Sequence, residues 1–300
     1  MSWLHGQQAL ENEPIGDALT LPKDPSITRL YFQNLMGVNI SEGGTWETVC
    51  EHLKHMEVDI AMGCETKLDS NNKYVMKRLH EVARKVFGLN TYTLIAASTP
   101  IRSHGVAKPG GTVMQVIGKL KSILQDKGQD YLGRWVYMKF LRSDKSVVTL
   151  ICTYQVVDVN PQAPSTGPTT YATQLHSQYT GQGRLNPHDL RKHHSDDLVK
   201  FVKDCQTKGE LIVVAGDLNE VMGDETDGLT RLCSQCDLVD AVLDKHQATN
   251  FKTHEEARRS STISWLTQCC CLPSKLVGMN HSKSESSVTT VEFILMSTPI

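Results

Sequence analysis

Three short apolar runs, each breaking off at an oxygen-bearing side chain, constrain this chain more than any other feature. "LYFQN" ends at Asn34, "VDIAMGCE" at Glu65, and "IVVAGDLN" at Asp217 and Asn219. Apolar runs this short read as buried strands rather than helices. The polar residues therefore stand at the carboxyl ends of strands, where open α/β sheets keep their ligand crevice. Asp217 and Asn219 are two positions apart, and on an extended segment such residues share a face. Carboxylates and amide carbonyls are hard oxygen donors, suited to Mg²⁺ or Mn²⁺ rather than to zinc. Each signal has a plainer reading when taken singly: Asn34 as a turn residue, Glu65 as a surface acid, Asp217 and Asn219 as a strand-to-helix cap. Their joint occurrence at strand ends carries the weight.

The segments around them alternate in period. Strand-like stretches occupy 27–33, 58–64, 92–98, 111–118, 134–141, 146–154 and 291–297, rich in β-branched and aromatic residues. Helical spacing places Trp46, Val49, Leu53 and Met56 on one stripe, with Thr45 as the expected N-cap, and Val75, Leu79, Val82 and Val86 on another. A third helix is expected from about Pro187 to Cys205, capped by Asn186. Helices interleaved with a strand-rich middle imply one α/β domain whose sheets are covered by helices. Residues 1–26 hold Pro14, Pro22 and Pro25 without a sustained period and read as a loose extension; 27–300 read as the domain. Within it, 255–290 is Ser-rich and aperiodic and reads as an irregular insert.

Composition excludes several classes. With 39% hydrophobic and 21% charged residues, the chain is ordinary globular material. No apolar run approaches the roughly 20 residues of a membrane span, and the N-terminal residues lack a signal-peptide pattern. Nine cysteines without secretory context read as reduced thiols of an intracellular protein, nuclear or cytoplasmic. Cys233 and Cys236 form a CxxC with no second metal-ligand pair, and are expected as thiols on one helix face; Cys269, Cys270 and Cys271 are too close together to enclose one metal. The net charge of -2 announces no broad basic surface. A local patch from Arg184, Arg191 and Lys192 is one reading of "LRKHHSDD" and its surroundings, a solvated helix face the other.

"FQNLMG", "GCETK", "CTYQ" and "AGDLNEV" resemble, in order and approximate spacing, the successive motifs of the endonuclease/exonuclease/phosphatase superfamily, the DNase I-like and apurinic-endonuclease-like enzymes. The resemblance covers about residues 27 to 250. It implies an α/β (α+β) four-layer sandwich, two mixed β-sheets flanked by helices, and a Mg²⁺- or Mn²⁺-dependent phosphodiesterase acting on nucleic acid, DNA above all. Carried onto this sequence, it makes Glu65 the principal metal ligand with Asn34 beside it. It places Tyr154 at the scissile phosphate or the nucleophile, Asp217 on the attacking water, and Asn219 as donor to a phosphate oxygen. Lys108 in "KPGGT" is either a phosphate contact or part of a hairpin turn.

The resemblance breaks near the C-terminus. Glu292 in "VEFILMS" stands where the family carries an aspartate that orients its catalytic histidine, and the Ser-Asp-His triplet that supplies this histidine is absent before Ile300. The expectation is a C-terminally truncated member of apurinic or retroelement type that lacks its last strand. A phosphatase on a nucleotide, inositol phosphate or lipid headgroup is the alternative within the class, and a non-catalytic remnant the alternative outside it.

Overall fold

The computed structural model describes residues 15–16, 19–97, 108, 110–156, 190–220, 228–241, 244, 263–268 and 290–296. Twelve strands are assigned among them: β1 Ile15–Gly16, β2 Ile27–Asn34, β3 Ile60–Cys64, β4 Thr91–Ala96, β5 Thr112–Ile117, β6 Leu124–Gln129, β7 Trp135–Leu141, β8 Val147–Tyr154, β9 Leu211–Asp217, β10 Leu238–Asp240, β11 Ile263–Gln268 and β12 Thr290–Met296. The helices are α1 Thr45–His55, α2 Lys73–Phe87, α3 Leu190–Gln206 and α4 Gly228–Cys236. One sheet runs β1-β12-β2-β3-β5-β4 and the other β10-β11-β9-β8-β7-β6. Both are mixed: β12–β2, β2–β3 and β8–β9 pair in parallel, the remaining neighbours antiparallel.

Period-two alternation explains the layering. Leu30 and Phe32 of β2, Ile60, Met62 and Cys64 of β3, Leu150 and Cys152 of β8, and Val213 and Ala215 of β9 belong to one buried cluster between the two sheets. The residues in between face outward. Tyr31 and Ala61 meet Trp46, Val49, Leu53, Val75, Leu79 and Val82 from the apolar stripes of α1 and α2. Ile151, Ile212 and Val214 meet Leu198, Val199, Val202, Leu229 and Leu232 of α3 and α4. The result is the expected four layers, helix–sheet–sheet–helix.

Several local expectations shift. Gly44, not Thr45, caps α1; Thr45 is already helical, and its hydroxyl accepts the Asn39 N–H at 2.8 Å. A side chain at Gly44 would strike the Asn39 carbonyl at 2.5 Å, so the tight approach of this turn excludes a capping side chain. β6, "LQDKGQ", was invisible to periodicity because it is a largely exposed edge strand paired only with β7. Ile263–Gln268, inside the stretch expected to be irregular, forms β11 between β9 and β10. Ile15–Gly16, inside the expected loose extension, pairs with β12. Asn186, Pro187, Arg184 and the three consecutive cysteines lie outside the described residues. No described helix is long and apolar enough to cross a membrane.

Candidate active site

The rows of side chains that fill the space between the sheets continue, at the carboxyl ends of their strands, into polar residues. Leu30 and Phe32 are followed at the same parity by Asn34, Leu150 and Cys152 by Tyr154, and Val213 and Ala215 by Asp217. Three side chains are thus delivered to one place by strand geometry alone. Asn34 and Asp217 belong to different sheets, yet Asn34 Nδ2 donates to Asp217 Oδ2 at 2.9 Å and to Glu65 Oε1 at 3.0 Å. The Tyr154 hydroxyl donates to the same Glu65 oxygen at 3.1 Å.

Glu65 is out of phase. Cys64 already points between the sheets, so a continued strand would turn Glu65 to the opposite face. A left-handed φ of 53° at Glu65 reverses this, and Lys67 adopts the same conformation at 54°. Such backbone is uncommon for residues other than glycine and clusters at functional sites. The segment is held by backbone bonds from Thr66 N–H to Gly111 O at 3.4 Å and from Lys67 N–H to Gly110 O at 2.9 Å. Gly111 has φ +91°, and a Cβ there would lie 2.5 Å from Thr66 Oγ1. The glycines of "KPGGT" therefore back the segment that carries Glu65.

Lys108 is a correction. Its side chain is 3% exposed and its Nζ sits 3.0 Å from Asp69 Oδ1, so it is committed to an internal ion pair rather than offered to a phosphate. Among the described residues a cation beside the site is Lys67, to which the sequence alone assigned no role. Its Nζ lies 3.5 Å from Glu65 Oε2 and donates to the Met36 carbonyl at 3.0 Å, with the side chain 45% exposed. Its place two residues after Glu65 in "GCETK" was the available signal.

Asn219 also departs from the expected arrangement. β9 ends at Asp217, Leu218 turns back into the core under α3 and α4, and Asn219 has φ 50°. Its backbone N–H donates to Asp217 Oδ1 at 3.2 Å, while its amide donates to the Gln155 carbonyl at 2.7 Å. The two residues remain neighbours through a turn, not through a shared strand face. Gly216 has a different function: a Cβ there would meet the Thr153 carbonyl at 2.5 Å, so β8 and β9 approach this closely because it is glycine.

Glu292 is not brought to this cluster. β12 lies beside β2 in parallel, with Glu292 opposite Arg29. That is five residues back from Asn34, about 16 Å along an extended strand. The apolar "VEFILM" run found its place in the sheet through β2, and the register this imposes puts Glu292 near the wrong end.

Burial drives Asp217 up to about 6 from the ordinary carboxylate value; the Asn34 and Asn219 hydrogen bonds pull the other way, and the Glu65 charge adds to the rise. The residue is 5% exposed. His194, expected on a solvated helix face, is buried instead, beside Thr153 Oγ1 at 2.9 Å and edge-on to Trp135. Burial holds its imidazole well below the usual range, helped by the Arg134 and Arg191 cations. Thr153 points away from the inter-sheet side, so His194 lies behind the site. Arg191, a candidate for a basic patch in one of the two readings, is tied to Glu220 at 2.9 Å. Cys233 and Cys236 are free thiols on α4 as expected.

Among the described residues no group of three or more His, Cys, Asp or Glu gathers to enclose an ion. The donor set nevertheless fits a hard cation of magnesium type, which binds through one or two carboxylates and keeps several waters. Two carboxylates, Glu65 and Asp217, reach the same Asn34 nitrogen, a convergence of negative charge that a cation would relieve. Asn34 itself is oriented as a donor to both acids, its Oδ1 accepting the Met36 N–H at 3.0 Å.

No family model matches the chain, and no curated protein matches it in sequence. Solved structures do match in fold. The AP endonuclease LMAP from Leishmania major is 12% identical, with 85% of this chain and 83% of that one covered and a TM-score of 0.57. A 3'-5' exonuclease (NExo) from Neisseria meningitidis is 15% identical, over 79% of this chain and 85% of that one, at a TM-score of 0.48. An AP endonuclease from Archaeoglobus fulgidus is 12% identical over the same shares, also at 0.48. Two mixed sheets packed face to face between helices, together with the first of these likenesses, show that the chain has the DNase I-like fold of the endonuclease/exonuclease/phosphatase superfamily.

Proposed function

We propose that this protein is a divalent-cation-dependent phosphoester hydrolase and, within that class, an endonuclease of apurinic or retroelement type acting on DNA. The observation that carries the reading is the convergence of Asn34, Glu65, Tyr154 and Asp217 from both sheets onto one spot at the strand ends. A structural relative of the same fold bears the name AP endonuclease, which supports the nucleic-acid substrate.

Glu65 is the residue to hold the cation, with Asp217 nearby; Mg²⁺ or Mn²⁺, when bound, supplies charge neutralisation at the phosphoryl oxygens. The chain's own residues supply the rest. Asp217, ionised above about pH 6, is placed to accept a proton from the attacking water. Its carboxylate is oriented by Asn34 on one oxygen and the Asn219 N–H on the other. The new P–O bond forms as the ester P–O bond breaks, and the departing oxygen takes its proton from solvent. Tyr154 and Lys67 offer an O–H and an ammonium on either side of Glu65, groups suited to phosphate oxygens.

Nicking of supercoiled plasmid in Mg²⁺ tests this, comparing the unaltered chain with Glu65→Ala and Asp217→Ala. The expected outcome is nicking by the unaltered chain and a loss of at least about 100-fold in both variants. Equal activity in all three overturns the site assignment. A folded, unaltered chain that leaves both an untreated and a depurinated plasmid intact overturns the endonuclease reading. Hydrolysis of nucleotides, inositol phosphates or lipid headgroups would then identify a phosphatase, and none of them a non-catalytic protein.

A further inference from the structure

We propose that Glu220, Arg191 and Gln155 form a positioning cluster that locks Asn219 in its left-handed conformation and thereby aims its amide; the catalytic consequence rests on the hydrolase reading above. Asn219 is held from three sides. Its N–H donates to Asp217, its carbonyl accepts Arg191 Nη2 at 2.9 Å, and its amide donates to the Gln155 carbonyl at 2.7 Å. The residue stands at φ 50°, a backbone state asparagine enters more readily than most residues but one that still needs support.

The supports are themselves organised by one acid. Glu220 is 5% exposed, and a buried carboxylate is tolerated only when its charge is matched and its lone pairs are filled. Oε1 receives Gln155 Nε2 at 2.8 Å and the Arg191 guanidinium at 2.9 Å; Oε2 receives the Leu229 N–H in the first turn of α4 at 2.6 Å. The same Arg191 nitrogen thus bridges the Glu220 carboxylate and the Asn219 carbonyl, and the same Gln155 binds Glu220 through its side chain and Asn219 through its backbone. Gly228 lets α4 start this close: a Cβ there would fall 1.9 Å from Ser195 Oγ on α3. The end of β8 and the first turns of α3 and α4 are therefore joined through one carboxylate whose immediate neighbour in sequence is the site asparagine.

A pair that merely stabilised the fold would affect melting and leave turnover per folded molecule alone. Positioning predicts otherwise. In the full-length chain, Glu220→Gln should lower kcat for plasmid nicking by about 10- to 100-fold, the scale of a small misplacement at a reacting centre, with KM altered less than about threefold. Arg191→Met should act alike, and Arg191→Lys should restore part of the loss. Because the cluster acts through Asn219, adding Glu220→Gln to Asn219→Ala should cost nothing further. Additive losses, or an unchanged kcat in both single variants, overturn the proposal. An activity-free arm uses asparagine-labelled protein: the Asn219 amide proton bonded to Gln155 should exchange slowly in the unaltered chain and lose that protection in Glu220→Gln. Retained protection overturns the cluster whether or not the protein cleaves DNA. Lost protection in a chain that never nicks leaves the cluster standing and overturns the endonuclease reading. Arg191→Met, altered at a partly exposed position, carries the same comparison should Glu220→Gln fail to fold.

Discussion

Asp217 is placed where the proposed catalytic role and stability pull apart. Removed from water at the end of β9, its carboxyl is raised to about 6 by burial, against the opposing hydrogen bonds of Asn34 and Asn219. A raised acid favours the folded state while it is protonated, so its contribution is fully present below about pH 4. That contribution is lost as pH rises through about 6. The rise to about 6 corresponds to about 3 kcal/mol between the two protonation states. Asp217→Asn removes the charge that must be buried, though one of the two accepting oxygens is lost with it. In chelator-treated protein the variant should melt higher than the unaltered chain at pH 8, by about 1–3 kcal/mol in stability. The difference should shrink towards pH 4. A variant less stable at pH 8 than at pH 4, relative to the unaltered chain, would contradict the raised carboxyl.

Among elements, the junction of β8 and β9 sets the site. These parallel strands place Tyr154 beside Asp217 in register, and Thr153 beside Gly216. The missing side chain at Gly216 is what brings them together, since a Cβ there meets backbone, which cannot rotate away. Gly216→Ala should therefore destabilise the protein by about 1–3 kcal/mol, the cost of overpacking. It should also reduce nicking in molecules that remain folded, because Asp217 shifts relative to Tyr154. Circular-dichroism melts read alongside single-turnover rates separate the two effects; a melt unchanged from the unaltered chain would mean the strands had room to spare. The segment from Glu65 to Lys67 shows the same logic. Its two left-handed residues are held by Gly110 and Gly111 from the start of β5.

At the scale of the molecule, the site belongs to neither sheet. Asn34 and Glu65 come from one, Tyr154 and Asp217 from the other, and the apolar rows beneath them hold the two together. Cys64 and Cys152 reinforce the join just below the site: Cys64 Sγ donates to Thr153 O at 3.1 Å and Cys152 Sγ to Gly63 O at 3.4 Å, each thiol reaching the other sheet's backbone. Burial and the neighbouring Cys152 keep the Cys64 thiol protonated, so it can donate. Loss of inter-sheet packing should therefore affect stability and site together. Leu150→Ala, in the row that leads to Tyr154, should cost about 2–5 kcal/mol. At roughly 2–4 °C per kcal/mol the melting temperature falls measurably in calorimetry. Nicking should be lost over the same temperature range as the fold. An intact site above the melt would show that the sheets are not coupled in this way.

Much of this was legible in the residues themselves. Runs such as "LYFQN" and "IVVAGDLN" specify strands because their alternating or continuous apolar character suits a buried pleat, and the stripes of α1 and α2 specify helices by their 3.6-residue spacing. The short apolar runs single out Asn34, Glu65 and Asp217 by their local pattern, and the family resemblance adds Tyr154. What depended on contacts between distant segments was not readable. That Glu65 must take φ 53° to rejoin its neighbours follows from its one-residue phase error, which matters only once the other sheet is in place. The pairing of Lys108 with Asp69, the turning of Asn219 towards Gln155 and the burial of His194 were likewise decided by partners remote in sequence. Glu292 makes the same point in reverse: its motif was read correctly as a strand, but register is a relation between two strands, and pairing with β2 set it far from Asn34. The sequence by itself determined which segments are strands and helices and which polar residues end them, because those depend on local period and composition. Only the tertiary structure decided which of those residues meet, because the site is formed where two separately patterned sheets pack together.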